Sequence, residues 1–199
     1  MIELGPCAEY EMVVEFLRAE IDSARFGPHI KAALTQAQLN RTQLIDQADL
    51  TNITDNQNRT KILKQFRGYT DNKYLFTGFP NDVQWRRVGL TSGEIGKLKY
   101  ANHDTWVKLS GGTRIVSDGV ANIEKITTNE DANKNILAVA HRVRQGDKFP
   151  PLIVVQADDD RLVIVEGHTR ATAYALVQPS WLIETIVGTS PLMKQWAFY

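Results

Sequence analysis

The chain has 199 residues, 43% hydrophobic and 23% charged, and its 23 basic side chains balance 23 acidic ones for a formal net charge of +0. That length allows one good core, or one core with a satellite, and the charge balance argues against a protein whose main task is coating nucleic acid, which needs surplus Lys and Arg. Cys7 is the one cysteine, which excludes an internal disulfide and a multi-cysteine metal cluster; no basic n-region opens the chain and no apolar run nears the ~20 residues of a membrane span, so no membrane role is expected and the expected compartment is the cytoplasm.

Met12, Val13, Phe16, Leu17 and Ile21 fall at helical spacing and predict an amphipathic helix over residues 8–26. Gly27-Pro28 is expected to stop it, because proline cannot continue the hydrogen-bond ladder. A second helix is expected from His29 to near Leu44, and a polar third over residues 58–66, with Arg67-Gly68-Tyr69 as its exit. "YLFTGFP" reads as an extended piece and "VQWRRVGL" as a short strand or turn. "TSGEIGKLKY" and "NHDTWVKLS" read as short helices opened by Thr/Ser or Asn/Asp caps. "SGGTRIVSDG" reads as a loop, in which Gly111-Gly112-Thr113-Arg114 is either a turn or a second anion loop.

The last 80 residues have a clearer rhythm. "ANIEKIT" (121–127) alternates enough to predict a strand. "NKNILAVAHRVRQG" predicts a helix with Ile136, Leu137, Ala140 and Val143 on one face and Gly146 as its left-handed cap. Pro150-Pro151 forces an extended entry into the buried strand "LIVVQ". An Asp158-Asp159-Asp160 turn, the strand "RLVIV", the helix "HTRATAYALV" and the strand "WLIETIV" follow, with Trp181, Trp196 and Phe198 anchoring the C-terminal strand and tail. Alternating strands and helices give an α/β (α+β) fold class: a mostly helical region over 1–115, then a small mixed-sheet domain over 116–199.

Between strand and helix stands "EGHTR". Gly167 allows a sharp turn and close backbone approach. The first helical amides lack internal partners and carry the positive end of the dipole, which suits an anion. Arg170 adds a forked cation, Thr169 a hydroxyl, and His168 a hydrogen-bond donor or a proton carrier near neutral pH. Glu166 could hold a magnesium ion facing the same phosphates. The plainer alternative is that Thr169 caps the helix, Arg170 pairs with a surface acid, and His168 is a satisfied polar residue.

With its flanks, "IEKITTNE", "NILAVAHRVRQG", "FPPLIVV" and "LVIVEGHTRATAYAL", the segment over about residues 119–190 resembles the ParB/sulfiredoxin superfamily of small nucleotide-binding domains. A sulfiredoxin needs a cysteine inside the turn, where this chain has His168. The partition branch carries a two-arginine turn and a later helix-turn-helix, and too little chain follows here. The turn is most similar to that of the free serine kinase branch, differing from Asp-Gly-His-Thr-Arg by one methylene. This resemblance implies ATP or ADP (CTP as an alternative) with Mg²⁺, and phosphoryl transfer to a small-molecule hydroxyl acceptor. Gly167, His168, Thr169 and Arg170 would bind the nucleotide, and His168 would join Glu130 in catalysis. Glu130 falls where that branch has its essential glutamate, and would take the acceptor proton; it is equally placed to be a helix-start acid, with Asp131 next to it for either role. The other implied reading is non-catalytic: a nucleotide-dependent regulator whose N-terminal half contacts a protein partner, or a DNA-associated protein.

Overall fold

A computed structural model describes residues 1–126 and 130–199, with the side chains of 130 and 131 excepted. Five strands form one mixed sheet: β1 (Ile2–Pro6), β2 (Gln84–Leu90), β3 (Leu152–Gln156), β4 (Val163–Glu166) and β5 (Ile183–Thr189), in the order β1-β2-β5-β3-β4. β3 and β5 are parallel and the other three pairings antiparallel. The fold class is therefore α+β. Residue 115 marks no break in this sheet, since β1 and β2 come before it and pair, directly or through each other, with β5 after it.

The sheet is covered on both faces, which explains the unbroken apolar runs of β3 and β4. Ile153, Val155, Val163, Val165 and Ile186 join the cluster built by α1 (Glu9–Glu20), α2 (Gly27–Gln36) and α3 (Ile53–Arg67). Their neighbours Leu152, Val154, Ile164 and Val187 point the other way, onto α4 (Ser92–Lys97), α6 (Val116–Asn122), α7 (Glu130–Arg144) and α8 (His168–Val177). α5 (Asp104–Leu109) packs beside α6. Met12, Val13, Phe16 and Leu17 of α1 are wholly buried, each contributing about 1.5–3 kcal/mol.

Several elements depart from the sequence pattern. α1 ends at Glu20 rather than at Gly27-Pro28; Pro28 instead sits in the first turn of α2, where its missing N–H has no helical partner to lose. α2 stops at Gln36, and a separate π-type turn occupies Thr42–Asp46. α3 starts five residues earlier than its expected start at 58, because the Asn52 side chain accepts the Asp55 N–H and caps it. Gly68, at φ 79°, closes that helix. "YLFTGFP" opens with a 3-10 turn at Tyr74–Phe76. The expected strand over 121–127 is a correction. Its first residues end α6, a turn follows to 125, and Thr127 lies outside the described residues. The helical period had begun earlier, with Val116, Gly119, Val120 and Ile123 on one face, so the last four residues of the expected loop "SGGTRIVSDG" are helix. β1 carries no matching sequence expectation: its first three residues, Ile2, Glu3 and Leu4, are all exposed, and only its pairing to β2 makes it a strand. Among the described residues no helix is long and apolar enough to cross a membrane.

Candidate functional site

β4 runs into α8 through Gly167, whose φ of 101° and ψ of 22° lie in the left-handed region. A Cβ there would meet Leu152 Cδ2 at 2.5 Å and Arg170 Nη2 at 3.1 Å, so the position requires glycine for backbone and space alike. The first hydrogen bond runs from the Ala171 N–H to the Gly167 carbonyl, 2.8 Å. The amides of His168, Thr169 and Arg170 thus have no partner within the helix. Among the described residues no side chain caps them, and no acid stands in the first turn. The Thr169 hydroxyl, partly buried, makes no hydrogen bond among the described residues.

Arg170 is not turned outward. Its guanidinium is buried beneath the turn, where Nη1 donates to the Pro150 and Pro151 carbonyls and Nη2 pairs with Glu166 Oε2. Burial pushes its pKa down to about 10, against the opposing pull of Tyr174 and the carboxylates Glu20 and Glu15, so it stays charged at neutral pH. It ties the entry of β3 to the exit of β4. Glu166 is correspondingly engaged: its carboxylate is neutralised by a buried cation, an arrangement that does not fit a magnesium ligand. Among the described residues no group of three or more His, Cys, Asp or Glu side chains is arranged to hold a metal ion.

His168 is fixed as a neutral ring. Its Nε2 accepts the Ala101 N–H at 3.2 Å, which puts the ring proton on Nδ1. The ring stacks on Trp106 (5.1 Å, 17°) and lies near-parallel to Tyr100 (6.1 Å, 17°). Burial, then the charges of Arg67, His103 and Arg114, lower its pKa to about 3. It is therefore a donor through Nδ1 and not a proton carrier near neutral pH. One turn on, Thr172 donates back to the His168 carbonyl at 2.8 Å, so the Tyr100 hydroxyl, 2.7 Å from Thr172 Oγ1, is the donor to it.

The structure thus gathers Glu166, Gly167, His168, Thr169 and Arg170 in one turn, with Thr169 unbonded among the described residues, the first helical amides without a partner inside the helix, and Arg170 and Glu166 bound to each other. The side chains of Glu130 and Asp131 lie outside the described residues. The Gly111-Gly112-Thr113-Arg114 stretch is a turn whose arginine donates to the Tyr100, Phe198 and Tyr199 carbonyls, clamping the tail. Trp196 is buried and donates to the Leu75 carbonyl, as an anchor should.

Sequence reasoning missed the partners. Tyr100, Ala101 and Trp106 carried no mark: they reach His168 only because Lys99 bridges the open edge of β4 at Val163. Compared with protein-family models, curated proteins and solved structures, the chain has no match.

Proposed function

We propose that this protein binds a nucleotide by its phosphates at the start of α8. One observation carries the reading: three adjacent amides, His168 to Arg170, open a ten-residue helix behind a glycine held at positive φ, with neither a side-chain cap among the described residues nor an acid in the first turn to satisfy them. Thr169 adds a hydroxyl and His168 an Nδ1–H. Arg170 contributes by holding the turn's shape from beneath. ATP or ADP are the first candidates from the resemblance of the turn, with CTP as the alternative. Mg²⁺ would come with the nucleotide's own phosphates rather than through Glu166.

The neutral, stacked His168 and the paired Glu166 favour recognition over proton transfer, so the primary reading is a nucleotide-dependent binding protein, with a protein or DNA partner contacted elsewhere. Phosphoryl transfer to a small hydroxylated acceptor is the second reading. It is favoured by the Glu-Gly-His-Thr-Arg turn itself, and it requires Glu130 as the base.

Calorimetry with ATP, ADP, CTP and GTP, with and without Mg²⁺, tests the first reading on wild type and Thr169→Glu. A carboxylate in that first turn satisfies the dipole, stabilising the helix by about 0.3–1 kcal/mol, while repelling phosphate. Nucleotide binding should vanish at unchanged or raised melting temperature. Binding that survives Thr169→Glu, or no binding by wild type, ends the proposal. Product formation with hydroxylated acceptors, abolished by Glu130→Gln, would establish the second.

A further inference from the structure

The loop that follows α3 holds more strain than its packing explains. Gly68, Thr70, Asn72 and Tyr74 all have positive φ, at 79°, 64°, 52° and 51°. Glycine and asparagine accept that backbone readily, whereas a β-branched threonine and a bulky tyrosine do not. The loop is pinned on both sides. Tyr69 and Phe76 are buried edge to face with ring centroids 4.8 Å apart, and a Cβ on Gly68 would run into the Lys73 carbonyl. That pinning accounts for the left-handed backbone at Tyr74 but not for an aromatic side chain there, because glycine would meet the same demand without strain. The Tyr74 ring is 67% exposed, and among the described residues it touches no other ring and its hydroxyl makes no hydrogen bond.

The ring borders an open depression of about 400 Å³ lined by Lys61, Lys64, Gln65, Asp71, Lys73 and Tyr74. Three ammonium groups against one carboxylate leave it a net charge of +2. Asp71 holds Lys64 at 2.8 Å and Lys73 at 3.9 Å, while Lys61 makes no ion pair among the described residues. Along α3, Thr54, Gln57, Lys61 and Lys64 recur every three or four residues on one exposed face, and no exposed residue of that helix is acidic. Cations beside an unpacked aromatic ring fit a ligand that carries both phosphates and flat bases. A duplex hides its base faces, and a free small molecule gains most from a closed, mostly apolar pocket, which this is not. A single strand offers bare bases to the ring and successive phosphates to the lysines.

We propose that the depression between α3 and Tyr74 binds single-stranded nucleic acid, with one base stacked on Tyr74 and the neighbouring phosphates on Lys61, Lys64 and Lys73. The site is separate from the start of α8 and does not rest on the phosphate reading there. With a chain of zero net charge, the contact is local rather than a coating of the strand.

Fluorescence anisotropy of the full chain with labelled oligothymidylate and oligouridylate tests this, with duplex DNA, polyphosphate and ATP as competitors. At least one single strand should bind, its log affinity falling against log salt with a slope of about −1.4 to −2.1, from two to three charges at about 0.7 each. Lys61→Gln should flatten that slope by about 0.7 without touching the loop. Asp71→Asn should tighten binding, a direction that loss of a merely structural ion pair would not give. Tyr74→Gly removes the ring while relaxing the backbone, and should weaken binding about fivefold to a hundredfold, the range of one stacked base; Tyr74→Phe should retain it. Lys61 and Tyr74 are exposed, and melting curves check that each variant is folded. No binding of either strand overturns the proposal, as does equal affinity in wild type and Tyr74→Gly. Duplex or polyphosphate competing as well as unlabelled strand would make the depression a general anion site, and ATP doing so would assign it to a free nucleotide; each result overturns the single-strand assignment.

Discussion

Gly167→Ala isolates the geometry on which the turn depends. The substitution adds one methyl group, and its cost has two separable parts. An L-residue at φ 101° carries left-handed strain of about 1–2 kcal/mol. The new Cβ also falls 2.5 Å from Leu152 Cδ2, in a side chain that is wholly buried and has little room to swing away, and such overpacking costs about 1–3 kcal/mol. The sum is about 2–5 kcal/mol, or a melting temperature lower by roughly 4–20 °C for a chain of this size. Leu152→Ala removes the obstructing methyl. In that background Gly167→Ala should cost only the backbone part, so the two changes should couple by about 1–3 kcal/mol in a double-mutant cycle by urea denaturation. A melting temperature within about 2 °C of wild type for Gly167→Ala alone, or the same cost in both backgrounds, would refute the claim that backbone and Leu152 together demand glycine here.

The neighbouring side chains give further tests. A histidine held neutral with a pKa near 3, against about 6.5 in the unfolded chain, means that the unfolded state binds the extra proton between those values. The contribution of His168 is present in full above pH 6.5 and falls as the pH drops below it, by at most about 1.4 kcal/mol per pH unit. Urea midpoints from pH 7 to 5 should decline more steeply for wild type than for His168→Gln, and parallel slopes would show that the ring is not held neutral. Arg170→Met strips Glu166 and two proline carbonyls of their donor, and should destabilise by about 3–5 kcal/mol, with Glu166→Gln restoring part of it; unchanged stability with lost nucleotide binding would make Arg170 a ligand instead. Thr172→Val leaves the Tyr100 hydroxyl buried without an acceptor and should cost about 1–3 kcal/mol, and adding Tyr100→Phe should recover most of that. A double variant no better than the single one would place the loss in packing.

The parts of this fold readable from sequence are those whose signal is local. α7 with Gly146 at φ 92°, β3 after its proline pair, β4, α8 and β5 each carry their own period or stop residue, and each stands within three residues of its expected place, although Leu137, expected on the apolar face of α7, is exposed. The failures share a cause: one local pattern served two outcomes. Gly27-Pro28 can end a helix or begin one, and the loop residues before it decided the matter. "ANIEKIT" has too few alternating positions to outweigh a helix already under way from Val116. β1 is defined by hydrogen bonds to a strand more than 80 residues distant, which no window of its own residues reports. The candidate turn was legible in place and in composition, down to its glycine. The direction of Arg170 was not, since exposed amides and buried proline carbonyls compete for the same guanidinium and only three-dimensional proximity settles which receives it.

The sheet's order has a practical consequence for anyone dissecting this molecule. A fragment starting at residue 116 would retain β5 but lose β2, with which seven of its residues pair, baring a full row of backbone donors and acceptors on an apolar ribbon. Raw borders of that sort invite self-association. Failure of such a truncated product to act would reflect clumping of the fragment rather than an inert turn, and the intact polypeptide is the sound unit for assigning any activity.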